Sequence, residues 1–182
     1  MEHQATRGRT LTARDLEGFQ AVLVTPFGGL GIRTEAVGTE DECVAEILYL
    51  PHGVKARAPR DRLAAEAVRQ VRAYLDDPSA SFGLPLKPVG TRYQRRVWDA
   101  ISAIPAGRLS TYGEMAKSLR SGPRAVGQAC GANRYPLAIP CHRVVSSSGL
   151  GGFANNDDGF HLEIKRWLLA HEGASLPRTR RQ

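Results

Sequence analysis

Long apolar runs are missing from this chain of 182 residues. None approaches the roughly 20 residues that a membrane-spanning helix requires, so no membrane partner is expected. Cysteine is scarce. Cys43, Cys130 and Cys141 are odd in number and far apart, which argues against a disulfide framework. No Cys-x-x-Cys pair occurs and none of the five histidines stands at ligand spacing from a cysteine, so no metal site is expected. Internal repeats and low-complexity tracts are lacking as well. The opening stretch Met1–Thr10 is polar and has no apolar segment of the kind that directs secretion. With unpaired thiols, this points to a cytoplasmic protein.

What is present in excess is positive charge, and it belongs to one half. The formal net charge is +7. Residues 1–88 hold 11 Lys/Arg against 12 Asp/Glu, whereas residues 89–182 hold 14 against 6. A basic half beside a near-neutral one suits a polyanion such as nucleic acid. A solvated basic surface would give the same count.

The first half reads as strands and a helix. Gln20–Pro26 is rich in β-formers, Gly28-Gly29 is expected to turn the chain, and residues 30–34 to return as a hairpin partner. Glu46–Leu50 is a third strand, closed by Pro51. Ala64, Ala67, Val68, Val71 and Leu75 recur at helical spacing and predict a helix over 59–75, stopped by Asp76-Asp77-Pro78. Ser79–Gly90 contains Gly83, Pro85 and Pro88 and is the boundary candidate.

The second half reads as helices in close succession. Thr91-x-x-Gln94 is a capping box that opens a helix running to Ile104. Thr111-x-x-Glu114 is a second box, opening a short helix with Tyr112, Met115, Ala116 and Leu119 on one face. Ser121-Gly122 turns the chain, and Pro123 starts a helix that stops near Gly131. Two short helices about a glycine turn make a helix-turn-helix candidate, a pattern an ordinary helical hairpin shares. A last helix is predicted over 160–171, with Gly173 as its cap. The expected class is α+β. Residues 1–88 form a small N-terminal α/β lobe with an antiparallel sheet, 1–15 being loosely held. Residues 89–175 form a helical C-terminal lobe, and 176–182 a basic tail.

One dipeptide is chemically pointed. Cys141 sits in a short apolar segment beside His142. A thiol becomes a strong nucleophile only as thiolate, which requires a base or a positive charge nearby. Arg143 also carries charge, but on an extended segment it would point away from its neighbour. A Cys-His pair alone equally fits a buried hydrophobe beside a core histidine. The surrounding string decides more. Pro140-Cys141-His142-Arg143-Val144-Val145 resembles the active-site motif of the O6-alkylguanine-DNA alkyltransferases, the methylated-DNA–protein-cysteine methyltransferases. Tyr112, Arg124-Ala125-Val126-Gly127, Asn133, Ser147-Ser148-Gly149, Lys165, Trp167-Leu168-Leu169 and His171-Glu172-Gly173 extend the likeness from about Tyr93 to Gly173.

The resemblance implies a winged helix-turn-helix-like lobe carrying the cysteine. It implies a monomer that repairs double-stranded DNA containing O6-alkylguanine, and also O4-alkylthymine, without a cofactor. Cys141 would accept the alkyl group irreversibly, once per molecule. His142 would relay its proton through water, Glu172 would orient His142, and Tyr112 would quench charge on the leaving guanine. Asn133 would tie the segment before the cysteine to the helix-turn-helix. Arg124, at the head of a helix lying in the minor groove, would fill the gap left by a flipped base. Ala125, Gly127 and Gln128 would contact the DNA beside it. Val144 and Cys141 would accept from the guanine amino group through their carbonyls, and Pro136, Phe153, Cys130 and Gly152 would line the pocket.

Four departures from the family pattern bear on the pocket. Arg134 replaces the usual proline after Asn133, and Cys130 stands where a larger apolar residue is usual. Residues 151–165 are lengthened around Asn155–Gly159, and two residues are missing between Tyr112 and Arg124. Three other readings compete, and one of them, a transcription regulator built on the helix-turn-helix, would need an extra domain. A lesion-binding module without chemistry would lack the cysteine, and Cys141 is present. A Cys-His hydrolase would leave the basic half and Arg124 without a purpose.

Overall fold

A computed structural model describes residues 16–37, 41–152 and 159–176. Three antiparallel strands come first: β1 (Ala21–Thr25), β2 (Gly28–Val37) and β3 (Asp41–Leu50), in the order β1-β2-β3. Thr25 pairs with Gly28, so the turn is Pro26-Phe27 and the two glycines lie within β2. Gly28 leaves that turn at φ +122°, and a Cβ there would stand 2.5 Å from the Leu50 carbonyl. The glycine therefore serves close strand approach rather than the turn itself. Both sheet edges are covered. Val22 pairs with Arg57 on one side and Val44 with Leu86 on the other.

The helix α1 (Arg62–Asp76) begins three residues later than the spacing predicts. Arg60 N–H is bonded to the Gln20 carbonyl, which keeps residues before Asp61 extended along the sheet. Asp61 then caps the helix, accepting from Ala64 N–H at 2.7 Å. The buried stripe runs Ala64, Ala67, Val71, Tyr74. Tyr74 takes the inner position and Leu75 lies at the edge, because the buried face, which also holds Leu63 and Gln70, is centred between Ala67 and Val71 and turns residue 74 toward it.

Both capping boxes form. Thr91 caps α2 (Arg92–Ser102) and Thr111 caps α3 (Tyr112–Ser118), each with its reciprocal side-chain bond. Pro123 occupies the first turn of α4 (Pro123–Gly131). Between α3 and α4 the chain reverses at Arg120, φ 52°, with Ser121 N–H bonded to the Ala116 carbonyl. This is a helix-turn-helix. Trp98 of α2 locks it from behind, its indole N–H donating to the Ala129 carbonyl at 2.8 Å. Two dipeptides, β4 (Ser110–Thr111) and β5 (Val144–Val145), pair in parallel, a pairing too short to carry a sequence signal. The last helix, α5 (Gly159–His171), ends with Gly173 at φ 66°.

One apolar cluster runs through both halves. Leu30, Val44 and Ile47 of the sheet share it with Val97 and Ile101 of α2, Val126 of α4, and Ile164 and Leu168 of α5. The mixed α/β class is the expected one.

Candidate active site

Cys141 sits on a 3₁₀ turn, Cys141–Arg143, not on the extended segment its apolar neighbours suggest. The tighter turn lets His142 and Arg143 reach one common partner. That partner is Glu172, just beyond α5. His142 Nε2 lies 2.7 Å from Glu172 Oε1. Arg143 grips the same carboxylate by Nη2 at 2.9 Å and by Nε at 3.0 Å to Oε2, while its Nη1 donates to the Ile104 carbonyl. Gly107 N–H donates to Oε2 at 3.1 Å, and the Tyr74 hydroxyl donates to Oε1 at 2.9 Å. Gly107 holds φ +74°, and a Cβ there would come within 2.8 Å of the Glu172 carbonyl oxygen, so only glycine brings this amide to the site.

Charge states follow from this geometry. Burial would raise the Glu172 carboxyl, but hydrogen bonds from His142 and Arg143 outweigh it and hold the group well below its ordinary value. Burial pulls His142 below its ordinary 6.5, against the pull of Glu172. Arg143 already balances the carboxylate, so His142 stays neutral. A carboxylate only accepts, so Nε2 carries the proton and Nδ1 is left basic. Nδ1 is buried and has no hydrogen-bond partner among the described residues.

The thiol is buried as well. A hydrogen bond with Cys130 and then burial push Cys141 well above its ordinary value, so it rests as the neutral thiol. Asn133 opposes this. Its Nδ2 donates to Cys141 Sγ at 3.2 Å and to the Ile139 carbonyl at 2.8 Å, while Oδ1 accepts from Tyr135 N–H. One side chain thus closes the loop from α4 to the cysteine, a loop in which Leu137 is held at φ 71°. A cavity of about 70 Å³ reaches Cys141, lined by Cys130 and Pro136 and by Ile47 and Tyr49 of β3. All three cysteines are free thiols.

The remaining sequence-derived residues fall around this centre. The Tyr112 hydroxyl donates to the Gly152 carbonyl at 3.0 Å. Lys165 is fully buried, and its Nζ donates to the Val144 carbonyl at 2.7 Å and to the Gly152 carbonyl at 2.9 Å. Val144 N–H closes the 3₁₀ turn onto the Cys141 carbonyl. Both carbonyls expected to meet guanine therefore hold one donor already and keep one lone pair each. On α4, Arg124 and Gln128 are exposed, Ala125 and Gly127 half-buried, and Val126 and Ala129 buried in the core. Phe153, Asn155–Asp158 of the lengthened loop, residues 1–15 and the tail from 177 lie outside the described residues.

Four contributors are not singled out by sequence reasoning, among them Gly107, whose tripeptide reads only as a chain reversal. Arg143 is hidden by the assumption of an extended backbone. Lys165 precedes Leu168 and Leu169 by three and four residues, so helical spacing already puts it on the buried face of α5. Tyr74 carries no sequence signal beyond its place in the α1 stripe.

Comparison with known proteins agrees with this architecture. Residues 92–174 match the 6-O-methylguanine DNA methyltransferase, DNA binding domain family. A methylated-DNA–protein-cysteine methyltransferase of Methanosarcina acetivorans is 42% identical over 164 residues, covering 86% of this chain and 99% of the relative. This chain belongs to the methylated-DNA–protein-cysteine methyltransferase family. The constitutive Bacillus subtilis member is 40% identical over 61% of this chain and 67% of its own. Among solved structures, the Mycobacterium tuberculosis O6-methylguanine methyltransferase aligns with a TM-score of 0.65 at 29% identity, over 84% of this chain and 90% of that one. A structure of the same enzyme in complex with DNA aligns at 0.64 and 30% identity, over 83% and 90%.

Proposed function

We propose that this methyltransferase repairs O6-alkylguanine in double-stranded DNA, and O4-alkylthymine as a second substrate, by moving the alkyl group to Cys141 as a cytoplasmic monomer. The helix-turn-helix presents Arg124, Ala125, Gly127 and Gln128 to the DNA, and Arg124 takes the place of the flipped base. Residues 89–175 carry binding and chemistry, residues 1–88 back the site, and the tail from 176 adds charge.

The chemistry balances without a cofactor. The Cys141 proton passes through water to His142 Nδ1, and Glu172 stabilises the imidazolium against the opposing charge of Arg143. The thiolate attacks the alkyl carbon, forming an S–C bond as the C–O6 bond breaks. Charge left on guanine is quenched by a proton from Tyr112, whose hydroxyl must first leave the Gly152 carbonyl and whose phenolate is re-protonated through water as His142 gives up the proton taken from Cys141. Asn133 holds the sulfur in place. Val144, Pro136, Cys130 and Gly152 wall the lesion pocket. The product is a thioether, which no group at the site can cleave, so each molecule turns over once.

The observation that carries this reading is the arrangement around one sulfur. A buried thiol with an Asn133 donor stands beside a neutral histidine whose outer nitrogen is engaged by an ion-paired glutamate. Intact-protein mass spectrometry after incubation with an O6-methylguanine duplex tests it. A gain of about 14 Da, one CH₂ unit, absent in Cys141→Ala, is the expected outcome. Retention of the lesion duplex with no gain in mass would instead make the protein a binding module.

A further inference from the structure

The Glu172 carboxylate is shared more widely than orienting a histidine requires. Oε1 accepts from His142 at 2.7 Å, from Arg143 at 2.9 Å and from the Tyr74 hydroxyl at 2.9 Å. Tyr74 is 98 residues away in sequence, on α1, an element with no other bond to the catalytic groups. It is held firmly. Its own carbonyl is 2.8 Å from His171 Nε2, its ring meets His171 edge-on at 5.3 Å, and Phe82 packs at 5.8 Å. It is 1% exposed. A buried tyrosine needs one hydrogen-bond partner, and the fold directs this one to the oxygen that serves the base.

We infer that Tyr74 is a positioning residue for the transfer reaction, which through Glu172 Oε1 limits how strongly the carboxylate draws on His142 and so keeps that imidazole a neutral proton acceptor. The inference rests on the reading of His142 as the base for Cys141. The physics is competition. Each donor on one carboxylate oxygen draws off part of its negative potential, and in a buried site that difference is weakly screened. Removing the hydroxyl concentrates the potential on His142 Nε2–H and favours the imidazolium. Tyr74 itself stays protonated, since burial and then the adjacent Glu172 raise it well above its ordinary value.

Of the other groups facing this pair, Lys165 titrates closest to the working range, and the rest hold their charge there or lie one shell further out. Arg143 belongs to the 3₁₀ turn and pairs with the same carboxylate at 2.9 Å. Lys165 of α5 is pulled down to about 8 by burial and opposes a charge on His142. Tyr49 of β3 is raised by burial and stays neutral, and Cys141 is the thiol itself. His171 of α5 faces the Tyr74 carbonyl rather than the carboxylate. None of them takes the place of the Tyr74 hydroxyl on Oε1.

Tyr74→Phe tests the inference, since it keeps the ring and deletes only the donor. Single-turnover methyl transfer is measured against pH for both proteins, with thermal midpoints and the His142 Nε2–H proton resonance recorded in parallel. The acid limb should move to higher pH by about half a unit, making the variant about threefold slower on that limb, while the rate above the limb stays near wild type. The Nε2–H resonance should move downfield, as a stronger bond to Glu172 requires. An unmoved limb, or a loss equal at every pH that follows a fall in thermal midpoint, would reduce Tyr74 to packing. A wild-type profile with no acid limb at all would instead overturn the His142 reading beneath it.

Discussion

At the residue scale, the site works by keeping opposite charge states side by side. Glu172 is ionised and His142 neutral, and Arg143 separates the two outcomes by supplying the positive charge that His142 would otherwise carry. With His142 as the proposed base, transfer would require it neutral, so the rate should be flat near neutrality and fall as pH drops through the folded-state value. Burial sets that value below 6.5. Single-turnover rates against pH check this, and a limb centred above 6.5 would contradict a neutral resting imidazole. Glu172→Gln should be costly in two ways. The amide offers one oxygen to donors that now fill two, and Arg143 keeps a poorly compensated charge in a mostly buried position, which typically costs about 3–5 kcal/mol. Linkage gives the check. A carboxyl lowered on folding contributes stability that is present above its ordinary 4.5 and lost as pH falls below it. Denaturant midpoints below that pH should fall for wild type and converge on those of the variant.

At the scale of elements, the helix-turn-helix is built from local instructions. Two capping boxes, a proline in the first turn and a positive-φ reversal define three consecutive helices within 40 residues, Arg92–Gly131. Gly127 in α4 follows from none of these. A Cβ there would stand 4.0 Å from the Tyr112 ring, an ordinary contact, so the fold has no steric need of glycine. If α4 lies against DNA, the need is on the outer side. Gly127→Ala should raise the thermal midpoint, by up to about 1 kcal/mol of helix propensity, and weaken affinity for a lesion duplex. Equal or better affinity would turn α4 away from the DNA.

At the scale of the molecule, the halves are joined by more than apolar contact. Ile47 N–H of β3 donates to the Arg134 carbonyl, Arg134 pairs with Glu46, the Tyr135 hydroxyl donates to the Lys87 carbonyl, and Tyr74 reaches Glu172. Even Arg134, a departure from the family pattern, is absorbed in this seam. The shared core predicts one cooperative unfolding transition, coincident by far-UV and tryptophan signals, because neither half can lose its contacts without exposing the other. Two separated transitions would show that the halves are independent. The basic excess of residues 89–182 leaves the near-neutral half free to act as backing, with β3 lining the cavity at Cys141.

What could be read from the chain alone was local or chemical. Helix starts at Thr91, Thr111 and Pro123 depend on residues at most three apart, and Cys141-His142 announces its chemistry by residue type. Where local reading failed, the reason was a distant partner. The Gly28-Gly29 turn moved to Pro26-Phe27 because β3 approaches those glycines, and α1 was shortened by a bond to Gln20. The 3₁₀ turn at Cys141 became visible only with Glu172 in place, 29 residues beyond Arg143. The nucleophile and its neighbours in sequence were thus determined by the chain itself. The protonation states that make them reactive were decided by tertiary structure, because burial and the convergence of Tyr74, Arg143 and Gly107 on one carboxylate exist only when distant segments meet.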